Sequence, residues 1–254
     1  MFTKQSLQQD LESLRLRPTD TVFVHSSMKA VGAVEGGADT VLDALTEYFA
    51  DGLLAFPAHT WQWMNERHPI FYAATDPSCV GLLSNLALRR PGAVRSLHPD
   101  HSVVAFGREA RRYCDGDRYA TTPCPRLGTM GQLIDRQGVV LFLGCTPDHN
   151  TFLHCVEEIL EIPDRIAQSP VRYTSVAPDG SRYTVPFYHH SCSRGNVSDH
   201  YDKVVPYFLR QGAMWRGTFG AAPVYAGRAD QMLALLRPVL RRNPDFFWDD
   251  TARL

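Results

Sequence analysis

Residues 139–160 read VVLFLGCTPDHNTFLHCVEEIL, and this segment decides the fold class. The apolar run at 139–144 predicts a strand buried on both faces, because half-buried strands alternate apolar and polar residues instead. Asn150 or Thr151 then caps a helix that we expect to end near Leu160. A buried strand that leads through a polar loop into a helix is the repeating unit of an α/β sheet.

The same alternation of helix and strand continues through most of the chain. Apolar runs of four to six residues are separated by stretches in which apolar residues recur at helical spacing. This order predicts an α/β fold, layered α/β/α, around a largely parallel central sheet. The predicted helices are 3–16, 40–50, 80–90, 130–136, 150–160, 201–211 and 228–241, and the predicted strands are 21–24, 52–56, 102–106 and 139–144.

A different pattern marks the C-terminal third. Residues 171–185 read VRYTSVAPDGSRYTV, which predicts a β-hairpin closed by a Pro-Asp-Gly turn. We therefore expect a single domain over residues 1–254 that carries a smaller antiparallel β element, the hairpin and its following loop, at about 165–200. The aromatic segment 61–78 is predicted to be an ordered loop or lid, and residues 215–220 form a glycine-rich piece to which no element is assigned.

The composition excludes several classes of protein. The 26 Lys and Arg residues balance 27 Asp and Glu residues and form no long basic run, so we expect no nucleic-acid partner. No apolar run approaches the roughly 18 residues that a membrane span needs, and the first residues lack the apolar core of a secretion signal. We therefore expect no membrane partner, a cytoplasmic location and reduced thiols at the six cysteines. The oligomeric state, monomer or homodimer, stays open.

Polar residues, including histidines, follow three of the predicted strands. His25-Ser26-Ser27 follows the first strand, Pro57-Ala58-His59-Thr60 the second, and residues 144–151 the strand at 139–144. Ligands bind outside the carboxyl ends of parallel strands, so we expect these three segments to share one site. Capping of the following helices explains Ser27 and Asn150 equally well.

His154 and Glu157 lie three residues apart, on the same face of the predicted helix. A carboxylate in that position accepts the imidazole N–H and raises the basicity of the ring, which leaves the other nitrogen to take a proton from a substrate. The pair therefore predicts a general base. The same spacing also fits an incidental pair on a solvated helix. Cys155 points elsewhere on the helix, which argues against a Cys/His nucleophile.

Residues 95–102 read RSLHPDHS and precede a predicted strand. Arg95 has the geometry to bind a phosphate with two hydrogen bonds, and Ser96 and His98 offer donors beside it. A polar turn before a strand is the alternative.

His98 and His101 also suggest a second class of function, a metal-dependent hydrolase. Its further ligands would come from the later histidines, His189, His190 or His200. No third or fourth ligand lies at a convincing spacing, and we therefore expect no metal.

Taken in order, these segments resemble the aminoglycoside 3-N-acetyltransferases, also called the antibiotic N-acetyltransferase family, from about Ser6 to Arg241. No single segment decides the resemblance, but their order and intervals together are specific. The matching elements are VHSS at 24–27 with Gly32 and GGA at 36–38, FPAHT at 56–60, GLL at 81–83 with Arg89, RSLHP at 95–99 with Ser102, LG at 143–144, NTFLH at 150–154 with Glu157, and GTFGA at 217–221.

The resemblance implies an acyltransferase of the antibiotic-resistance type that uses acetyl-CoA as co-substrate. It would acetylate an amino group by direct transfer, most simply the 3-amino group of an aminoglycoside, with His154 as the base and Glu157 as its partner. The cofactor-binding residues that it implies are His25, Ser26, Ser27, Met28, Gly32, Arg95, Ser96, His98 and Ser102. The residues expected to face the amine substrate are His59, Trp61, Tyr72, Asp76, His189 and His190.

The sequence departs from the family at residues 187–194, which read FYHHSCSR and contain no carboxylate. Family members that modify aminoglycosides present carboxylates near this segment, since carboxylates pair with ammonium groups. Acetylation of a different, less cationic amine is therefore an alternative to an aminoglycoside substrate. A CoA-binding protein without catalytic activity is a further alternative, and the presence of both His154 and Glu157 favours an enzyme.

Overall fold

Ten strands and nine α-helices make up the computed structural model, which describes residues 1–254. The strands are β1 (Thr21–Ser26), β2 (Leu53–Pro57), β3 (Ile70–Tyr72), β4 (Val94–Arg95), β5 (Val103–Gly107), β6 (Val139–Leu143), β7 (Val171–Val176), β8 (Arg182–Phe187), β9 (Met214–Phe219) and β10 (Ala222–Arg228). The helices are α1 (Lys4–Ser13), α2 (Met28–Val31), α3 (Gly37–Tyr48), α4 (Leu82–Ala87), α5 (Ala110–Asp115), α6 (Thr129–Asp135), α7 (Thr151–Ile159), α8 (Val205–Arg210) and α9 (Ala229–Arg242). Short 3₁₀ helices lie at Pro147–His149, Val197–Val204 and Phe246–Trp248.

Seven strands form the central sheet in the order β4-β5-β2-β1-β6-β10-β9. The three central strands are parallel, since β1 pairs in parallel with both β2 and β6. The flanking strands pair antiparallel. Short connections join β4 to β5 and β9 to β10, and a short connection can only produce an antiparallel pair. The parallel sheet expected from the sequence therefore forms the centre, and the whole sheet is mixed.

The α/β/α layering follows from the alternation of side chains along the central strands. Phe23 and Phe142 point into a core shared with α5 to α9. Val22, Val24 and Leu141 point to the opposite face, into a core shared with α1, α3 and α4. Both faces of the sheet are thus buried, as the continuous apolar runs predict, and the expected layers are confirmed. None of the helices is both long and apolar enough to cross a membrane.

A second sheet has three strands in the order β3-β7-β8. β7 and β8 form the antiparallel hairpin that the sequence predicts. The aromatic segment 61–78, expected to be a loop or lid, contributes strand β3, which pairs in parallel with β7. Phe71 on β3 is fully buried against Tyr173 and Phe187, which explains why this segment is held as a strand.

The glycine-rich piece at 215–220 falls almost entirely in strand β9, and β10 follows after a short turn. Gly217 lies in the middle of β9, where a Cβ atom would approach Leu14 Cδ2 to 2.4 Å. The glycine therefore lets α1 pack closely on the edge of the sheet. The helix predicted at 201–211 begins as the 3₁₀ helix at Val197–Val204 and continues as α8.

Candidate active site

A cavity of about 470 Å³ lies at the carboxyl ends of β1, β2 and β6. The three strand ends expected to share a site do share it, since residues that follow each strand line the same space. Seven of the ten histidines of the chain line this cavity: His25, His59, His101, His149, His154, His189 and His190. The other lining residues are Pro57, Trp61, Val80, Asp100, Thr151, Asn196 and Ser198.

His154 reaches the cavity from α7. The side chain of Asn150 caps this helix by accepting a hydrogen bond from the backbone N–H of Phe152 at 3.2 Å. Nδ1 of His154 and Oε2 of Glu157 are 3.6 Å apart, too far for a direct hydrogen bond. The hydroxyl of Tyr201 fills the gap, at 2.7 Å from Nδ1 of His154 and 2.5 Å from Oε2 of Glu157. We call His154, Tyr201 and Glu157 the base array.

The directions of these hydrogen bonds fix the tautomer of His154. A phenol has one proton, and Tyr201 donates it to Glu157, so Nδ1 of His154 carries a proton and donates it to the phenol oxygen. Burial raises the pKa of Tyr201 well above its usual value, aided by the charge of Glu157, which keeps the hydroxyl protonated. Nε2 of His154 is then an unprotonated nitrogen that makes no hydrogen bond within the protein. This arrangement can accept a proton from a ligand in the cavity.

Glu157 is completely buried, and Arg165 holds its second oxygen through an Nε–Oε1 contact of 2.6 Å. Burial alone would raise the pKa of Glu157, but the opposing effects of His154, Tyr201 and Arg165 are larger and lower it. The carboxylate is therefore charged. Burial lowers the pKa of His154, while Glu157 acts in the opposite direction. The imidazole is thus neutral at pH 7, as a base must be.

A second carboxylate and imidazole, Asp100 and His101, also line this cavity. Oδ2 of the buried Asp100 is 3.1 Å from Nδ1 of His101. Burial alone would raise the pKa of Asp100, but His101 and the other nearby histidines lower it, so the carboxylate is charged. The charged carboxylate holds the proton of His101 on Nδ1, which leaves Nε2 free of hydrogen bonds within the protein.

The remaining buried histidines of the cavity stay neutral. His25 stacks on Phe142 with ring centroids 5.2 Å apart, and burial lowers its pKa to about 3. Burial also lowers the pKa of His59 and of His190 well below the usual value. The ring of His190 lies 3.9 Å from that of His154. None of these three has a carboxylate at hydrogen-bond distance.

Most side chains of the segment RSLHPDHS at 95–102 form hydrogen bonds within the protein, so the segment is a structural turn rather than a phosphate-binding site. The guanidinium of Arg95 donates to the backbone oxygens of Ala58, Ala73 and Asp76 and to the hydroxyl of Ser102. Burial lowers its pKa to about 10. With these donors engaged inside the protein, Arg95 fits the alternative of a structural turn, not the expected contact with phosphate.

Ser96, His98 and Ser102 are also engaged within the protein. The hydroxyl of Ser96 accepts from the backbone N–H of Val103. The hydroxyl of Ser102 donates to the backbone oxygen of Ala58 at 2.5 Å. Nδ1 of His98 accepts from two backbone N–H groups, and its Nε2 donates to the backbone oxygen of Thr122. All three side chains lie outside the cavity lining.

The loop after β1 contains Ser26, Ser27, Met28 and Gly32. It packs against Gly144, the residue after β6, whose φ is +70° and where a Cβ atom would approach that of Ala30 to 2.4 Å. The backbone N–H of Ser27 donates to the backbone oxygen of Leu143. The loop is therefore clamped to the end of β6, next to His25.

The residues expected to face the substrate divide into two groups. His59, Trp61, His189 and His190 line the cavity. Tyr72 and Asp76 do not, because the carboxylate of Asp76 accepts a hydrogen bond from the backbone N–H of Tyr72 at 2.8 Å and closes the turn after β3.

Comparison with known protein families agrees with the order of the sequence segments and with the site described above. A family model described as aminoglycoside 3-N-acetyltransferase matches residues 23–241. The chain belongs to this family of acyltransferases. The resemblance inferred from the sequence is thus confirmed.

Individual relatives agree with this assignment. The chain is 32% identical over 200 residues to aminoglycoside N(3)-acetyltransferase III of Serratia marcescens, covering 71% of this chain and 72% of that enzyme. It is 34% identical over 181 residues to aminoglycoside N(3)-acetyltransferase VIII of Streptomyces fradiae, covering 64% of this chain and 63% of that enzyme. A solved structure of AAC-IIIb in binary complex with CoASH shares the fold, with a TM-score of 0.81, 24% identity and coverage of 95% of this chain and 97% of that one.

The metal pair considered from the sequence is not assembled. Both nitrogens of His98 are engaged in hydrogen bonds, so it has no lone pair to offer beside His101. A different group, Cys124, Glu158 and His190, places possible ligand atoms within 4.8 Å of one another. Burial raises the pKa of the Cys124 thiol well above its usual value.

Sequence reasoning missed Tyr201 and Arg165, and it treated Asp100 and His101 as part of other patterns. Tyr201 lies 44 residues after Glu157, and no local pattern connects them. Arg165 lies just 8 residues after Glu157, beyond the end of the helix. The adjacent pair Asp100-His101, a carboxylic acid next to an imidazole, is the one signal in the sequence that could have indicated this second pair.

Proposed function

We propose that this chain transfers the acetyl group of acetyl-CoA to an amino group of an aminoglycoside, with His154 as the general base. The observation that carries the proposal is the base array: an unprotonated Nε2 on His154, held by Tyr201 and Glu157 at a cavity in a member of this family. The CoASH complex of AAC-IIIb, which has the same fold, supports acetyl-CoA as the donor.

The base array suits the chemistry of this transfer. An amine is mostly protonated at pH 7 and does not attack a thioester until it loses a proton. Its nitrogen then forms a bond to the thioester carbon, the C–S bond breaks, and Nε2 of His154 takes a proton from the nitrogen. The charged Glu157 stabilises the imidazolium that results, through Tyr201. No acetylated enzyme is formed in this scheme.

The loop that carries His25, Ser26, Ser27, Met28 and Gly32 is the proposed wall for the pantetheine arm of acetyl-CoA. It adjoins the cavity through His25, and the close approach at Gly144 fixes its position. In the same proposal Arg95, Ser96, His98 and Ser102 hold the cavity in shape, since their side chains bond to the protein itself.

A less cationic amine is the second candidate acceptor. Asp100 is the sole carboxylate among the residues that line the cavity, and it already holds the proton of His101. Aminoglycosides carry several ammonium groups, whereas a substrate with one ammonium group needs fewer carboxylate partners.

Release of CoA thiol from acetyl-CoA, followed with purified protein, tests the proposal. The panel holds aminoglycosides with a free 3-amino group and small primary amines, and NMR of the product identifies the acetylated nitrogen. We expect thiol release with aminoglycosides. Release with small amines alone would select the second candidate, and no release with any amine would contradict the proposed function.

The variant His154→Ala tests the base. We expect kcat to fall by about 100-fold or more, with CoA affinity retained, because the ring acts on the proton and not on the cofactor. His68→Ala is the matched control, since His68 is an exposed histidine outside the cavity. An equal loss of CoA binding in His154→Ala would make the residue structural.

We further propose that residues 1–254 act as one acetyltransferase domain in the cytoplasm. The two cores on opposite faces of one sheet support a single folding unit. Cooperative unfolding in one transition, followed by calorimetry, tests it.

A further inference from the structure

Only two of the seven histidines in the cavity have Nδ1 linked by hydrogen bonds to a buried carboxylate while Nε2 makes no hydrogen bond within the protein. His154 reaches Glu157 through Tyr201, and His101 reaches Asp100 directly at 3.1 Å. His189 is the nearest other case, but its Nδ1 is 3.7 Å from Asp100 and its Nε2 is bonded to the hydroxyl of Tyr173. The cavity therefore holds two imidazoles whose hydrogen bonds suit them to accept a proton.

The proposed reaction has two protons to move. An acceptor that binds as an ammonium, R–NH₃⁺, must lose one proton before its nitrogen can attack and a second when the amide forms. The sulfur of CoA must gain one proton to leave as a thiol. A single imidazole would have to serve the ammonium, the sulfur and the new amide nitrogen in turn, whereas two imidazoles can divide these transfers between them.

We propose that His101, backed by Asp100, is a second catalytic residue of this cavity, which deprotonates the bound ammonium and later protonates the sulfur of CoA. The inference rests on the proposed function and extends it. R–NH₃⁺ gives a proton to Nε2 of His101 and becomes R–NH₂. The nitrogen attacks the thioester carbon, the C–N bond forms, the C–S bond breaks, and Nε2 of His154 takes the second proton. His101 returns its proton to the sulfur, and the net proton released lies on His154.

The surroundings of His101 favour this role over its neighbours. The titratable groups around it are Asp100, His59, His98, His154, His190 and, at longer range, Glu158. His98 has both nitrogens engaged, and His190 directs Nδ1 to the backbone oxygen of Arg165 instead of a carboxylate. His101 is thus the one ring among these whose positive form a charged hydrogen-bond partner stabilises.

The position of His101 also meets the geometric requirement. Its side chain is 12% exposed and lines the cavity, as does that of His154 at 14%. The ring of His190 is near both, 3.9 Å from that of His154 and 6.4 Å from that of His101 between centroids. Both imidazoles therefore border the space that a ligand in this cavity would occupy.

The test compares His101→Gln with the wild type and with His68→Gln, an exposed histidine outside the cavity. We expect kcat of His101→Gln to fall by about 100-fold at pH 7, with CoA affinity unchanged. The deficit should shrink as pH rises toward the pKa of the acceptor amine, because that amine then binds without its extra proton. Added imidazole should restore part of the rate of His101→Ala. The control should match the wild type.

Asp100→Asn is the second variant, for use if the histidine variants fold poorly. It should show the same pH-dependent loss, and ¹⁵N spectra of its histidines should show that His101 no longer holds its proton on Nδ1 alone. A His101→Gln rate within threefold of the wild type, or a loss that is equal at every pH, would overturn the second catalytic residue while leaving the proposed function intact. A wild type without any turnover would instead overturn the proposed function and this extension with it.

Discussion

Replacing Tyr201 with phenylalanine removes the one oxygen that joins His154 to Glu157. That oxygen lies 2.7 Å from Nδ1 of His154 and 2.5 Å from Oε2 of Glu157, and without it the two partners face each other across 3.6 Å. A hydrogen bond to a charged group contributes about 1.5 to 3 kcal/mol. Because the imidazolium forms during the reaction, we expect that amount to appear in the barrier, as a fall in kcat of roughly 10- to 100-fold. The phenyl ring keeps its packing on Phe247, so the fold should be retained.

Steady-state kinetics over pH 5 to 9 would measure this effect, with Tyr207→Phe as a control because the hydroxyl of Tyr207 makes no hydrogen bond and lies outside the cavity. His154 must be neutral to act, and burial lowers its pKa, so the acid limb of kcat/KM should lie below pH 6.5. Glu157→Gln removes the charge that opposes burial, so its limb should move to lower pH while its plateau falls. If kcat of Tyr201→Phe stays within threefold of that of the wild type, Glu157 acts on His154 without the hydroxyl, and the role given to Tyr201 in the base array is refuted.

Two further predictions concern stability. His25 has a pKa of about 3 in the folded chain against 6.5 when unfolded, so the unfolded chain binds more protons in this window and stability is lost as pH falls below 6.5. Between pH 7 and pH 5 the wild type should lose about 2 kcal/mol more than His25→Phe in urea unfolding, and parallel curves would contradict the neutral, buried ring. Arg95→Ala should lower the free energy of unfolding by about 3 kcal/mol, because it frees several buried carbonyl oxygens, yet leave the Kd for CoA unchanged in calorimetry. Weaker CoA binding at unchanged Tm would restore Arg95 as a phosphate ligand.

The central part of the fold was predictable because its signals are local. The apolar run at 139–143 and the apolar run at 53–56 both became fully buried strands. The directions of the flanking strands were not predictable, because they depend on which distant segments of the chain pair with each other. The glycine-rich piece around Gly217 gives no strand signal in the sequence, and the close packing of Leu14 on this glycine inside β9 is a tertiary contact that no local pattern reveals.

The candidate site divides in the same way. His154 and Glu157 share one helix, and their spacing alone places them together. Tyr201, which connects them, arrives from the 3₁₀ helix at Val197–Val204. For Arg95 the residue type suggested the wrong partner. A guanidinium can bind phosphate, but in the fold this one donates its hydrogen bonds to backbone oxygens. Residue type limits what a side chain can do, and tertiary contacts decide which of those roles remains open.

The charge state of the cavity links its histidines to a cationic acceptor. Burial keeps His25, His59 and His190 neutral, so at pH 7 they do not repel an ammonium group. Asp100, the one carboxylate in the lining, is charged, whereas the charged Glu157 lies outside the lining and is paired with Arg165. The cavity is then suited to a cation at neutral pH, although its walls are mostly imidazole. As pH falls, protonation of His154 removes the base, and added positive charge opposes binding of the ammonium. Acid should therefore raise KM as well as lower kcat, whereas loss of the base alone would lower kcat with KM unchanged.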